Sequence, residues 1–382
     1  MHIFFAASVF LVLYAYAGYL GVIILLSIVI SKPVKKGDIE PVVSIIITAY
    51  NEEKHIAEKL LNSFALEYPH GKFEIIVASD GSTDRTDEIV RGYVENEFGI
   101  NVVLHRVEGR LGKTATQNSA VNIARGEIIV FSDAASMYEK NAIKELARNY
   151  ADPSVGAVSG MYNYNNPTGS QVGFATILFW KLENFIKSRQ TRIHTITGCC
   201  GCIYSVRKSL YTNLPANIIS DLVEPLTILQ KGYRIVFEPR ALAVEDTTEK
   251  PREEFSMRVR VIVRGMNGLL YMKTLLNPFK YPFVAFQLIS HKVLRWLVPV
   301  FCITAFISSA FLAIGNVYYQ GILLAQCGFY LMAIIGLLME RHQISKKIFS
   351  LPMYFTVVNV ASLISMIKVL KRENIVVWQT QR

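Results

Sequence analysis

An apolar run without a single charged side chain, residues 3–31, opens the chain. It exceeds the roughly 20 residues that a helix needs to cross a bilayer. Its length and the lack of a clear small-residue cleavage site mark a retained anchor rather than a removed signal. Lys32, Lys35 and Lys36 follow at once, which by the positive-inside rule places the next segment in the cytoplasm. Apolar runs return near the other end. Leu294–Ile314 and Val317–Met339 are long enough to span, and Phe349–Leu370 is a weaker third, interrupted by Pro352 and Asn359. Lys371, Arg372 and Arg382 favour a cytoplasmic C-terminus, whereas three full spans would put it outside, so Phe349–Leu370 is read as re-entrant or interfacial. A chain built this way does its work at a membrane.

Between the apolar ends the period changes. Val42–Thr48, Phe73–Ala78, Val102–His105 and Glu127–Phe131 are short β-branched runs. They alternate with helical spacing over Asn51–Leu66, Asp84–Phe98 and Thr114–Ala124. That alternation predicts an α/β domain with a doubly wound, mostly parallel sheet. Further on, Val155–Met161 and Arg234–Phe237 read as strands, and Gln171–Gln190 and Asp221–Lys231 as helices. Pro251–Lys273 interleaves Arg252, Arg258, Arg260 and Arg264 with apolar residues, the pattern of a helix lying in the interface plane. His291, Lys292, Arg295 and Trp296 read as interfacial anchors.

The net charge of +10 fits both a positive-inside topology and a basic cleft for a phosphorylated substrate. No aromatic-interleaved basic module is present, so nucleic acid is not an expected partner. The five cysteines include a Cys199-Cys200-Gly201-Cys202 cluster that lacks zinc-ligand spacing. They read as small apolar residues in a reducing compartment.

Three aspartates end apolar runs or loops: Asp80, Asp133 and Asp221. Apolar strands ending on carboxylates deliver acidic groups to a crevice at the C-terminal edge of an open sheet. Thr48-Ala49-Tyr50-Asn51-Glu52-Glu53 leaves the first strand, where helix-start amides can meet phosphate or simply be capped. Asp80 in Ser79-Asp80-Gly81-Ser82-Thr83-Asp84 is placed to accept from a base or ribose. Lys113 follows Gly112 without P-loop spacing, and it is either a diphosphate contact or a loop charge. Asp133 is followed by Ala134 and Ala135, so the second carboxylate of an Asp-x-Asp metal loop is missing. Asp221 and Glu224 are spaced for one helical face, either as a general base with a neighbour or as helix-start acids.

In this order the motifs resemble membrane-bound family-two glycosyltransferases of GT-A fold, the group of cellulose, chitin, hyaluronan and poly-N-acetylglucosamine synthases. The likeness covers about residues 42–270 and runs through Thr48–Glu53, Ser79–Asp84, Gly112-Lys113, Ser132-Asp133-Ala134, Thr197-Gly198 to Gly201, and Asp221. It implies a mixed doubly wound sheet and an inverting transfer from a nucleotide diphosphate sugar, with UDP as the expected nucleotide. The product would be a β-linkage on a growing polysaccharide, or alternatively on a polyprenyl-phosphate or lipid acceptor. By the resemblance Thr48, Tyr50, Glu52, Asp80, Lys113, Asp133 and Arg264 bind the donor. Asp133 also holds magnesium or manganese, Thr197, Gly198 and Glu224 face the acceptor, and Asp221 is the catalytic base. The Gln-x-x-Arg-Trp signature of the processive synthases is absent: Arg264 matches its arginine, but Gly265 follows where a tryptophan would stack on the acceptor.

The implied organisation is an anchor over 1–36, a cytoplasmic GT-A domain over 37–250, amphipathic interfacial helices over 251–293 and a transmembrane region over 294–382. The expected location is the plasma (inner) membrane. A non-catalytic nucleotide-sugar-binding subunit is the reading from another class, and retention of Asp80, Asp133 and Asp221 together argues against it.

Overall fold

The computed structural model describes all residues except 96–98, 248–250, 343, 345 and 374–382, so the end of the expected Asp84–Phe98 helix and Arg382 lie outside the described residues. An eight-stranded mixed sheet forms the centre, in the order β3-β2-β1-β4-β7-β6-β8-β5. The strands are β1 (Val43–Ala49), β2 (Phe73–Ser79), β3 (Asn101–Arg106), β4 (Ile128–Asp133), β5 (Met137–Tyr138), β6 (Val155–Asn165), β7 (Ile203–Arg207) and β8 (Arg234–Asp246). The first four pair in parallel, as runs apolar on both faces require when helices cover each side. Alternate residues serve opposite cores. Ile45, Ile47 and Val77 pack in one layer, and Ile46, Ile76 and Phe131 in the other.

The second half of the sheet is mixed. β7 runs antiparallel to both β4 and β6, while β6 and β8 are parallel. Register then fixes the working edge. Thr48 lies opposite Asp133 and Ala49 opposite Ser79, so the loops carrying Tyr50, Asp80 and Asp133 leave the sheet side by side.

Among the described residues, four helices are long and apolar enough to cross a membrane: His2–Val29, Pro282–Leu312, Val317–Glu340 and Lys347–Leu370. The last is continuous through Pro352 and Asn359, in contrast to the interrupted segment expected. Pro352 falls near its start, and the Asn359 amide is satisfied by the Phe355 carbonyl at 2.8 Å and the Tyr16 hydroxyl at 3.2 Å. The helix Pro251–Tyr271 packs along Lys347–Leu370. Two of its arginines, Arg258 and Arg264, turn into the protein instead of towards headgroups. Arg258 is held by Glu254 at 2.7 Å and the Tyr354 hydroxyl at 2.5 Å, and Arg264 is buried. A guanidinium flanked by a carboxylate and a phenol gains more there than in a hydrated interface.

Candidate active site

The helix expected from Asn51 starts only at Ile56. Asn51 adopts a left-handed φ of 52°, and the following turn is tied to the neighbouring loop. The amides of Asn51, Glu52 and Glu53 donate to Ser82 Oγ, Thr86 Oγ1 and Asp84 Oδ2 at 3.2, 2.8 and 3.1 Å. They are therefore not available to phosphate, which corrects the expectation for that segment. Glu52 instead accepts from His55 Nδ1 at 3.0 Å. Tyr50 has the Arg110 guanidinium stacked on its ring at 3.4 Å.

Asp80 is also used differently from the expectation. It is fully buried, and Oδ1 accepts from the amides of Leu111 and Gly112 at 2.8 and 3.1 Å and from Thr116 Oγ1 at 2.9 Å. A carboxylate so saturated is a loop anchor, and it sets where Lys113 stands. Base or ribose contact by Asp80 is closed in this conformation.

Lys113 pairs with Asp133. Burial alone would push its ammonium down, but the charge and hydrogen bond of Asp133 carry it above its usual value. Thr48 is buried with its hydroxyl unpartnered among the described residues. It sits opposite Asp133 in register, a donor left for a ligand.

Asp221 lies in the first turn of the helix Ser220–Gln230. Pro225, four residues on, has no N–H, so the Asp221 carbonyl lacks its helical donor. The Cys199 amide takes that place at 2.9 Å. This bond pins the Thr197–Gly201 loop onto the helix start, a consequence of Pro225 that periodicity does not reveal. Gly201 then lies directly against the carboxylate: a Cβ there would stand 2.5 Å from Asp221 Oδ2. Gly201→Ala is accordingly expected to displace the Asp221 carboxylate and lower turnover by about a hundredfold, with an unchanged melting profile within a few degrees. Ordinary turnover in that variant removes the contact from the argument.

Burial pushes the Asp221 carboxyl up, and the cations of Lys113 and Arg264 offset part of that shift. Arg264 donates to Thr114 Oγ1 at 3.1 Å and the Ile218 carbonyl at 2.8 Å, while its Nε is buried without a partner among the described residues. Burial lowers it to about 10, with Asp221 opposing the shift. Gly265, where the synthase signature has tryptophan, is covered all the same. The Trp296 indole comes in from another helix, and a Cβ on Gly265 would be 3.3 Å from its Cζ2.

Thr197 is buried, and Gly198 packs on Leu222 beside Asp221. Glu224 does not join them. It is fully buried and accepts from the Thr212 amide at 3.1 Å; burial lifts it to about 8. A side chain with no exposure cannot line an acceptor entrance, so the expected acceptor role for Glu224 fails on position.

Residues 44–214 match the family described as Glycosyl transferase family 2. A probable glycosyltransferase, YdaM, of Bacillus subtilis (strain 168) is 29% identical over 250 residues, covering 63% of this chain and 58% of the relative. The poly-beta-1,6-N-acetyl-D-glucosamine synthase of Staphylococcus aureus (strain COL) is 29% identical over 233 residues, covering 60% and 55%. The chain thus spans little more than half the length of the curated relatives it matches. In structure it superposes on the mannosyltransferase PcManGT of Pyrobaculum calidifontis, solved with GDP-Man and Mn2+, with a TM-score of 0.74 at 20% identity, over 97% of this chain and 100% of that one. That likeness is one of fold. The match to glycosyl transferase family 2 thus covers residues 44–214, and the fold around them is that of a GT-A glycosyltransferase.

Proposed function

We propose that this protein transfers a sugar from a nucleoside diphosphate sugar, UDP-linked in our reading, to an acceptor held at the membrane, with inversion to a β-linkage. The observation that carries the proposal is Asp221: a carboxylate lifted by burial, set against Gly201 and flanked by the cations of Lys113 and Arg264. A base with a raised pKa accepts the acceptor hydroxyl proton more readily as the glycosidic bond forms. The surrounding cations suit the charge that develops on the departing nucleoside diphosphate. Thr48, Tyr50, Lys113, Asp133 and Arg264 are the donor-side residues in this reading, and Thr197, Gly198 and Trp296 the acceptor side. Residues 37–250 form the transfer domain and 1–36 the anchor, the domain facing the cytoplasm from the plasma membrane.

A divalent ion, magnesium or manganese, fits this site through the substrate. The described residues hold no group of three metal-ligating side chains, and Ala135 removes a second acid, but Asp133 offers a partly exposed hard oxygen. One carboxylate plus diphosphate oxygens and water is an ordinary ligand set for such ions. When bound, the ion supplies charge stabilisation to the leaving diphosphate.

Nucleoside diphosphate release by the full chain in lipid, across a panel of nucleotide sugars, tests the reading. Release with one donor, a membrane-bound product, and at least a hundredfold loss in chelator are expected. No release with any donor ends the transferase reading; full activity in chelator ends the metal assignment. A polymer product favours chain extension. A single-sugar lipid product favours the lipid acceptor.

A further inference from the structure

Behind the Asp133 turn lies a buried cation that the transfer chemistry above does not use. Lys59 belongs to the helix Ile56–Phe64, where its spacing from Ile56, Leu60 and Ser63 sets it on the buried stripe. Its exposure is 0%. Its ammonium donates to the Ser136 carbonyl and stands 3.7 Å from the centre of the Tyr138 ring. Among the described residues no carboxylate forms an ion pair with it.

Ser136 closes the turn that begins at Asp133. Its amide donates to the Asp133 carbonyl at 3.3 Å and its hydroxyl to Glu245 Oε2 at 2.9 Å, while its carbonyl accepts from Lys59. All three polar groups of this buried serine are thereby used, each by a different part of the fold. Ala134 and Ala135, between the two ends, bring no side-chain tie of their own. Tyr138, against which the ammonium rests, is fixed as well. Asn62 brackets its backbone at 2.8 and 2.9 Å, and its hydroxyl is shared between the carbonyls of Phe131 and Cys202 at 3.1 and 2.8 Å.

An ammonium withdrawn from water without a counter-charge is costly. A methionine of similar length would fill the same space without that cost. What the lysine adds is a charge-assisted donor, braced on an aromatic face and held by a helix remote in sequence. Its place shows what it serves. The carbonyl it grips is three residues from Asp133, the carboxylate left alone by Ala135. An ion held by one protein carboxylate depends heavily on how that group is preset, because no second ligand corrects its position.

We propose that Lys59 is a positioning residue for the ion: by gripping Ser136 it presets the turn from which Asp133 meets the divalent ion on the nucleoside diphosphate. This rests on the transferase reading and on the metal within it.

The test separates ion-dependent from ion-independent binding. Calorimetry measures the affinity of the full chain in nanodiscs for UDP, with manganese and without any divalent ion. In the wild type manganese is expected to tighten UDP binding at least tenfold. Lys59→Met keeps the volume and removes the ammonium, and it should cut that gain to threefold or less while ion-free affinity stays within twofold. Asn62→Ala loosens Tyr138 but leaves Ser136 to Lys59, so it should lower the melting temperature and keep the gain. A full gain in Lys59→Met, or an equal loss in Asn62→Ala, overturns the proposal. Should Lys59→Met fail to fold, Ser136→Ala decides: it removes only the Glu245 tie and should reduce the gain about threefold, and a full gain there overturns the proposal. A wild type that binds UDP with no help from manganese removes the metal assignment and this proposal with it. One that binds no UDP under either condition counts against the transferase reading itself, an outcome distinct from any difference between variants.

Discussion

Asp221→Asn is expected to lower sugar transfer by roughly a thousandfold, within the range for removal of a general base, while nucleotide-sugar affinity stays within a few-fold. The amide keeps the shape of the carboxylate against Gly201, and the backbone carbonyl that holds Cys199 is untouched. Only proton acceptance is lost. The pH profile supplies the second readout. The wild-type carboxyl is raised by burial, so activity should fall as pH drops through a midpoint above the usual aspartate range, because protonated Asp221 cannot accept a proton. The residual activity of the variant should lack that limb. A variant with ordinary turnover, or one with the wild-type acid limb, removes Asp221 from the base role.

Gly81→Ala carries the largest expected effect on stability. Gly81 has φ +69°, and a Cβ there would lie 2.4 Å from the Gly109 carbonyl oxygen and 2.9 Å from its carbon. Both obstacles are backbone, so no side-chain rotation relieves them. The left-handed conformation costs an alanine about 1–2 kcal/mol, and parting the two loops costs more, for a total of about 3 kcal/mol. In a melting experiment that is a fall on the order of 10 °C. The loop that moves also carries Leu111 and Gly112, whose amides hold Asp80, so Lys113 should lose its place and donor affinity should fall with stability. Gly71→Ala, with nothing within 4 Å of its new Cβ, is the control and should shift melting by little. If the two variants melt alike, the close approach of the loops is not what holds this edge.

Much of the architecture was legible from residue pattern. The β-branched runs are strands because parallel strands covered on both faces must be apolar throughout, and β1, β2 and β4 lie close to where the runs stand. The order of the acidic motifs pointed to the glycosyltransferase family, and the matched domain and the fold agree. What the pattern missed has a common cause. The helix after β1 starts late because Ser82, Asp84 and Thr86 capture the amides of Asn51 to Glu53, contacts between segments some thirty positions apart. Glu224 has the right spacing from Asp221 but the wrong environment, since burial against the Thr212 segment is not a helical periodicity. The arginines of Pro251–Tyr271 are amphipathic in sequence, yet Glu254 and Tyr354 draw Arg258 inward.

The chain alone therefore determined its membrane-compatible helices, its α/β core and the identity of the aspartates at the sheet edge, because these follow from hydropathy and from periods of two and of 3.6 residues. Only the tertiary structure decided that Asp80 anchors a loop while Asp221 stands free beside Gly201. It also decided that Trp296 covers Gly265. Those are long-range meetings of side chains, and their free energies depend on burial and on which charges share a space, neither of which local sequence spacing encodes.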